Sequence, residues 1–415
     1  MPTGAVPVPE SERLQALDLL RGFAVLGILV MNIQMFTMPM AAYFNPHALG
    51  EPTFRDLAIW SINHVLADQK FMTIFSLLFG AGILLMTTRA AERGARPALL
   101  HYRRMGWLLV FGLVHAYLLW HGDILVLYAL CGMLVFPARR LAPSTLLTIG
   151  LVTLAIGSAL SVAAGMAFSG APPEALRQFQ SFWSPSAEEI AAETAAFRGA
   201  YVEHLPWRAA YAFDFQTTEL FMWGLWRAGG LMLLGMALFK FGILSGARPR
   251  GFYARQGAVG FGIGVPLVAW GLYRHHATGW NVIDSFFIGS QWNYWGSILV
   301  SLGWIGLLLT LWHAGAFRAL IERLQAVGRM AFSCYILETV ISTLVFYGHG
   351  LGLFGTVDRL QQMLFTVGVW VILLTVAPLW LARFGYGPLE WIWRSLTYGR
   401  FDPIGRRASA VVDVV

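Results

Sequence analysis

Three polar side chains in apolar stretches of the sequence fall at one depth if those stretches cross a membrane. Asn32, His115 and Tyr128 each lie eleven residues from an arginine at the predicted inner boundary of their helix. At a rise of about 1.5 Å per residue, this spacing puts each side chain roughly 16 Å into the bilayer. Polar groups at that depth are costly and commonly functional. These three are therefore the first candidates for an intramembrane site.

His115 is the member of this set best suited to proton transfer, because an imidazole changes charge near neutral pH. We expect it to act as a general base that accepts a proton from a hydroxyl. Asp123, eight residues further on, would orient the imidazole or bind the acceptor. A hydrogen-bonded histidine with a purely structural role is the competing interpretation. His121 is expected nearer the membrane interface.

Charged side chains on other helices give two further hypotheses. Asp18 and Arg21 lie one turn apart on the first helix. Either they form a local pair, or Arg21, oriented by Asp18, holds an anionic cytoplasmic ligand such as a phosphate. Arg227 and Glu338 both project to mid-depth and could pair; a structural ion pair is favoured over a functional role for the two residues in a transporter. No cysteine or histidine spacing suits a metal, so we expect no metal site.

The composition of the chain is that of a membrane protein. Its 415 residues are 57% hydrophobic and 12% charged, whereas soluble domains carry about 25% charged residues. The 17 tryptophans fit indole rings placed at the headgroup level of a lipid bilayer. Cys131 and Cys334 lie in apolar runs and are expected to be buried thiols. The net charge of +7 is not gathered on a soluble domain, which argues against nucleic acid as a partner.

The apolar segments predict an all-α, polytopic integral membrane protein of about ten transmembrane helices in a single domain, 1–415. The ten segments are 18–38, 70–88, 104–120, 123–137, 145–168, 219–239, 257–274, 292–313, 329–347 and 361–382. The first is expected to be a retained helix, because no small-residue cleavage site follows it. Arginine and lysine concentrate in alternate loops and at the chain ends, where Arg13, Arg406 and Arg407 lie. This pattern predicts that both termini lie in the cytoplasm.

The segment 105–136 is predicted to form a hairpin, because a pair of arginines flanks it on each side. Each arm has only about 16 residues and spans roughly 24 Å, less than the thickness of a bilayer. The turn from His121 to Asp123 should therefore lie below the outer surface, in a cavity. Residues 17–140, which form helices 1–4, would then hold the candidate active site.

Residues 169–218 form the one sizeable outer loop, followed by the C-terminal helices 6–10 in residues 219–400. A polar helix is expected near residues 187–201. The loop is either a solvated connector or a cap over an outward cavity. As a cap, it would offer Trp183, Trp207 and Tyr211 to stack on a sugar or lipid headgroup.

Several stretches resemble known membrane-protein families. Residues 17–28 (LDLLRGFAVLGI), followed by Met31 and Asn32, resemble the first helix of the transmembrane acyltransferase group that includes heparan-α-glucosaminide N-acetyltransferase. The rest of the chain resembles the YeiB family of bacterial membrane proteins, and this resemblance implies a place in the bacterial inner membrane. The stretches that carry this second resemblance are 70–82 (KFMTIFSLLFGAG), 112–115 (GLVH) with 122–128 (GDILVLY), 327–331 (VGRMA) and 387–394 (GPLEWIWR).

The acyltransferase resemblance implies transfer of an acyl group within the membrane. The donor would be acyl-CoA, expected to be acetyl-CoA, bound from the cytoplasm. The acceptor would be an extracytoplasmic glycan, lipid or small molecule. In this mechanism, Arg21 with Asp18 would hold the CoA phosphates, His115 would be the base, Asn32 and Tyr128 would polarise the thioester carbonyl, and Asp123 would orient the base or the acceptor.

The sequence departs from the acyltransferase pattern in one respect. The heparan enzyme places a histidine after its first helix, and His47 here lies in a different setting. Direct transfer and an acyl-histidine intermediate therefore both stay open. Two other functions are also possible on the sequence: a transporter or exporter of a small molecule, and a scaffold that recruits partners through the basic segment 394–407. A homodimer is possible as well.

Overall fold

A computed structural model describes residues 14–401 and 403–405, and their regular secondary structure is helical. Arg13, Arg406 and Arg407 lie outside the described residues. The N-terminal helices are α1 (Gln15–Thr37), α2 (Ala41–Phe44), α3 (Phe54–Leu66), α4 (Lys70–Glu92), α5 (Pro97–Val114), α6 (Leu125–Val135), α7 (Pro143–Ser169), α8 (Pro173–Trp183) and α9 (Ala187–Arg198). The remaining helices are α10 (Leu205–Asp214), α11 (Leu225–Lys240), α12 (Arg250–Ala277), α13 (Ser290–His313), α14 (Arg318–Arg329), α15 (Ala331–Phe346), α16 (Arg359–Arg383) and α17 (Pro388–Tyr398).

Seven helical stretches of the described chain are long and apolar enough to cross a membrane. An eighth arises if α14 and α15, which meet at 87°, count as one broken span. The seven stretches are Gln15–Thr37, Phe54–Glu92, Pro143–Ser169, Leu205–Lys240, Arg250–Ala277, Ile283–His313 and Arg359–Arg383. The predicted all-α, polytopic membrane architecture is therefore confirmed. The two cysteines are buried and free, as predicted.

Backbone contacts between helices fix the end of the bundle where Asp18 and Arg21 lie. A Cβ added to Gly22 would fall 1.9 Å from the carbonyl oxygen of Leu324, and one added to Gly328 would fall 1.8 Å from that of Asp18. Only glycine admits such an approach, which is a common device in membrane helix packing. The contact holds α1 against α14 and so keeps Arg21 beside the junction of α14 and α15.

The predicted hairpin is present. α5 continues into a π-helix (His115–Leu119), the chain leaves helical geometry over 120–124, and α6 returns. This turn is buried and packs against other helices. The His121 ring lies 5.9 Å from that of Phe197 in α9 and 5.1 Å from that of Tyr211 in α10. These helices cover His121, which is buried in the protein, and its position near the membrane interface stays a prediction.

Helices α8, α9 and α10 are here termed the cap (173–214), and α9 and α10 lie against the hairpin turn. In α9, the Glu193 carboxylate accepts a hydrogen bond from the Met40 amide at 3.2 Å. In α8, the buried Trp183 indole donates to the Trp280 carbonyl at 2.8 Å. The expected polar helix corresponds to α9. Residues 169–218 thus pack on the bundle, and Trp183 is engaged within it rather than offered to a ligand.

Candidate active site

His115 forms the centre of a buried group of three side chains. Its Nδ1 lies 2.8 Å from Oδ1 of Asp123, and its Nε2 lies 3.0 Å from Oγ1 of Thr339 in α15. The three residues are 1%, 2% and 1% exposed, respectively. A hydroxyl, an imidazole and a carboxylate joined in this order have the connectivity of the triads used in acyl transfer.

The hydrogen bonds of Asp123 determine which imidazole nitrogen carries the proton. A carboxylate only accepts hydrogen bonds, so Nδ1 of His115 must donate to it. A neutral imidazole then has its lone pair at Nε2, and the hydroxyl of Thr339 must donate to that nitrogen. The hydroxyl proton therefore already points at a base.

The hairpin sequence explains how Asp123 and His115 meet. A Cβ added to Gly112 would lie 2.6 Å from the amide nitrogen of Val126, so the two arms touch where α5 ends and α6 begins. The second carboxylate oxygen of Asp123 accepts from that same amide at 2.8 Å. The aspartate is thus fixed on one side by the first turn of α6 and on the other by His115.

The cap holds the π-helix that carries His115. The Leu118 carbonyl accepts a hydrogen bond from Nη1 of Arg208 and another from the hydroxyl of Tyr201, both at 2.6 Å. Arg208 is fully buried, and its other terminal nitrogen lies 2.7 Å from Nδ1 of His204. A π-helix leaves carbonyls without their usual helical partners, and such distortions recur at functional sites. Here the cap supplies the missing donors.

A cavity of about 390 Å³ opens beside α1, α4, α5, α15 and α17. Its volume lies in the range of small-molecule and cofactor pockets. Most of the wall is apolar, and Ile28, Phe79 and Leu108 lie along it. One end is rich in arginine, and the side chains concerned are Arg21, Arg89, Arg93, Arg104, Arg329 and Arg394. The cavity therefore combines a strongly basic end with an apolar interior.

The described contacts hold several of these arginines in fixed positions. Arg21 pairs with Asp18 at 2.9 Å, as the sequence predicts, and remains 29% exposed. The Arg104 guanidinium lies 3.6 Å from the centre of the Trp393 ring. Glu390 is the one acidic residue that lines the cavity. Burial raises the pKa of this carboxyl, although it accepts hydrogen bonds from Phe332 and Ser333 at the start of α15.

The other end of the cavity reaches the neighbourhood of His115. Ile124, which follows Asp123, and Tyr335, one turn before Thr339, both line the wall. The Tyr335 ring centre lies 5.2 Å from that of His115. Tyr335 therefore forms the wall between the cavity and the buried triad.

Two of the remaining predicted site residues lie in different surroundings. Tyr128 lines the cavity, and its hydroxyl lies 2.7 Å from Oγ of Ser76 and donates to the Met72 carbonyl at 3.2 Å. Asn32 is half-buried and is not part of the cavity wall. A shared depth in the membrane does not tell whether a side chain lines the cavity, because depth does not determine which face of a helix the side chain lies on.

The expected ion pair between Arg227 and Glu338 is wrong. Arg227 is fully buried and donates instead to the Tyr294 carbonyl at 2.7 Å, to Thr73 at 2.9 Å and to Ser297 at 2.6 Å. These acceptors belong to α4 and α13. Neutral oxygens satisfy the charge in place of a carboxylate.

Sequence reasoning missed Thr339. The residue lies 224 positions from His115, and a threonine in a membrane helix ordinarily bonds a carbonyl of its own preceding turn. Here that internal bond, to the Tyr335 carbonyl, is long at 3.4 Å. In the sequence, the charge of the neighbouring Glu338 is the more conspicuous feature, and only the fold brings Thr339 to the imidazole.

Comparison with known proteins places the chain among relatives of similar length. It is 33% identical over 397 residues to the uncharacterized protein YeiB of Escherichia coli (strain K12), covering 94% of this chain and 98% of the relative. It is 30% identical over 419 residues to the uncharacterized protein YxaH of Bacillus subtilis (strain 168), covering 97% and 98%. The family model described as a protein of unknown function (DUF418) matches residues 238–400. No solved structure matches the chain.

Proposed function

The chain belongs to the YeiB family of bacterial membrane proteins, and we propose that it is an acyltransferase that uses acyl-CoA within the membrane. The single observation that carries this proposal is the cavity, which is basic at one end and approaches the His115 triad at the other. A donor with phosphates at one end and a reactive acyl group at the other matches both features.

Coenzyme A carries its phosphates on a nucleotide and its thioester at the end of a long, thin arm. Six arginines line the cavity wall together with Glu390, and such an arginine-rich wall favours a polyanion. His115 lies eleven residues beyond Arg104 in the same arm, about 16 Å along a helix. The nucleotide would therefore bind at the arginines while the arm follows the apolar wall toward Tyr335. Acetyl-CoA is the expected donor.

The proposed chemistry divides between the triad and the cavity wall. His115 acts as the general base and Asp123 holds its tautomer. Tyr128 lies on the wall and is the candidate for polarising the thioester carbonyl, which requires its hydroxyl to turn from the Met72 carbonyl to the substrate. Arg21, held by Asp18, binds phosphate. Asn32 receives no contact with the donor in this scheme, because it does not line the cavity.

The proposed topology has ten membrane helices. To the seven long apolar stretches it adds the two hairpin arms and α15. Both termini are cytoplasmic in this arrangement, in the inner membrane of a bacterium, because the basic loops lie on that side. The arginine-rich end of the cavity then faces the cytoplasm, where acyl-CoA is available. The cap faces outward, toward a glycan, lipid or small-molecule acceptor.

Calorimetry on the detergent-purified protein tests the donor. Wild type should bind acetyl-CoA, and Arg21→Ala should weaken binding by about tenfold, equivalent to about 1.4 kcal/mol. Arg318→Ala is the matched control, because this arginine lies on neighbouring α14, is 85% exposed and pairs with Glu322 away from the cavity. Inorganic phosphate and a short-chain phosphatidic acid are the competing ligands. If folded protein binds phosphatidic acid but not acetyl-CoA, the cavity is a lipid site and the proposal is wrong.

A transporter is the second candidate, and one polar network favours it. The fully buried Lys70 donates to Asn293 at 2.6 Å, and Asn293 donates to Asp68 at 2.8 Å. Buried charge of this kind marks ion pathways in transporters. In proteoliposomes with an internal pH dye, a transporter should lose coupled proton movement in Lys70→Met and keep it in Arg21→Ala. The acyltransferase proposal expects no such movement in either protein.

A further inference from the structure

The hydroxyl of Thr339 occupies the position of a nucleophile relative to His115 and Asp123. We propose that Thr339 carries the acyl group as a covalent ester between donor and acceptor. This inference rests on the proposed function, since it names an additional catalytic residue and the order of steps for the same site. It decides between mechanisms that the sequence leaves open.

The first support is the direction of the hydrogen bonds. The Thr339 hydroxyl has a single proton, and Nε2 of His115 at 3.0 Å is a better acceptor position than the Tyr335 carbonyl at 3.4 Å. Asp123 fixes the imidazole so that this nitrogen is unprotonated. A threonine hydroxyl is a weak nucleophile unless an adjacent base takes its proton, and that base is in place.

The second support is that Thr339 blocks the alternatives. Direct transfer needs Nε2 of His115 free for the acceptor hydroxyl, and an acyl-histidine needs that same nitrogen free to attack the thioester. In the structure, this nitrogen faces Thr339. Both alternatives require the threonine side chain to move away, whereas attack by Thr339 uses the existing hydrogen bond between its hydroxyl and Nε2.

The third support is the position of Thr339 relative to the cavity. It lies one turn beyond Tyr335, the last residue of α15 on the cavity wall, and so about 6 Å further along the helix. An acyl group at the deep end must pass the Tyr335 ring to reach it. Thr339 is 1% exposed, so an ester at this position is shielded from water. This shielding prevents hydrolysis of the ester before an acceptor binds.

The reaction then has two balanced halves. Oγ1 of Thr339 attacks the thioester carbonyl as its proton passes to Nε2 of His115. The C–S bond breaks, and the CoA thiolate leaves with the proton from the imidazolium. In the second half, an acceptor hydroxyl gives its proton to Nε2 and attacks the threonyl ester. The ester C–O bond breaks, and the proton returns to Oγ1, which restores the triad.

Isotope exchange without an acceptor tests the covalent step. Detergent-purified protein is incubated with acetyl-CoA and radiolabelled CoA. An acyl-enzyme lets the label enter acetyl-CoA, because the first half-reaction runs in both directions. Wild type and Thr339→Ser should support exchange, and Thr339→Val should lose it by a factor on the order of 10³ or more. Thr343→Val is the matched control, because this threonine lies one turn further along α15 and is also buried.

Mass spectrometry locates the intermediate. After incubation with acetyl-CoA and acid quenching, the peptide containing Thr339 should gain the mass of one acetyl group, and alkaline hydroxylamine should remove it. Exchange that persists in Thr339→Val with the acetyl group on His115 would overturn the proposal in favour of an acyl-histidine.

The two proposals fail in different ways. If wild type binds acetyl-CoA and transfers acetyl to an acceptor without exchange or label, transfer is direct, and the covalent role of Thr339 is wrong while the acyltransferase stands. If folded wild type does not bind acetyl-CoA, the proposed function itself is wrong. Binding of acetyl-CoA by Thr339→Val as tightly as by wild type shows that any loss of exchange is chemical.

Discussion

Replacement of Asp123 by asparagine should invert the tautomer of His115 while keeping the fold. The carboxylate has two engagements, one oxygen 2.8 Å from Nδ1 of His115 and the other accepting from the Val126 amide at 2.8 Å. An amide satisfies both only if its oxygen faces Val126 and its NH2 faces His115. Nδ1 must then accept, so the proton moves to Nε2 and the imidazole no longer accepts a proton from Thr339.

The loss follows from this forced orientation. Each hydrogen bond keeps a partner, so the free energy of unfolding should change by no more than about 1 kcal/mol, and acetyl-CoA binding should be unaffected. The exchange of labelled CoA into acetyl-CoA should fall on the order of 10³- to 10⁴-fold, as expected when a triad is held in the wrong tautomer. Asp284→Asn is the control, since that carboxylate pairs with Arg274 elsewhere. Exchange within about tenfold of wild type, in Asp123→Asn that binds acetyl-CoA normally, would refute the tautomer argument.

Three further outcomes follow from other contacts. Gly112→Ala should lower the free energy of unfolding by about 1–3 kcal/mol in thermal unfolding, because its Cβ would meet the opposite hairpin arm. Gly106→Ala is the control and should leave stability unchanged, because Gly106 faces open space. Equal losses in both variants would contradict the packing argument. Burial raises the pKa of Glu193 to about 7. The folded state therefore keeps a proton that the unfolded state releases near pH 4.5. The free energy of unfolding should fall by about 3 kcal/mol as the pH rises from 4.5 to 7. Glu193→Gln should remove this dependence in unfolding curves, and an unchanged pH profile would contradict the assignment. Arg208→Lys should speed hydrogen exchange of the amides around Leu118, since one ammonium does not replace the guanidinium contacts to the Leu118 carbonyl and to His204. Unchanged protection of these amides would show that the cap does not hold the π-helix.

The sequence predicts the part of the site that lies within one hairpin. The short arms require a buried turn, and the spacing of His115 and Asp123 places both side chains at that turn, where the structure brings them into contact. The Asp18–Arg21 pair is likewise local, one turn apart on α1. Both contacts join residues at most eight positions apart in the sequence, so a sequence pattern can indicate them.

The sequence does not predict which faces of distant helices meet. Arg227 and Glu338 share a depth, yet the guanidinium faces α4 and α13. Thr339 reaches His115 only because α15 packs with that face toward the hairpin. Depth follows from counting residues along a helix, whereas rotation about its axis follows from packing, including glycine contacts such as that of Gly22 with α14. A single sequence therefore predicts the depth of a side chain but not the rotation of its helix.

The cost of burying the triad is itself an argument about function. A purely structural histidine at this depth needs one hydrogen bond per nitrogen, and backbone carbonyls or a single hydroxyl supply these without a charge. Asp123 adds a carboxylate at 2% exposure, and an apolar neighbour of similar size would cost less free energy in a membrane. The carboxylate does one thing that a neutral acceptor does poorly: it stabilises the imidazolium that forms when His115 takes a proton. A protein that only needed the hairpin closed has the Gly112 contact for that purpose, so the buried charge is best explained by proton transfer at Nε2.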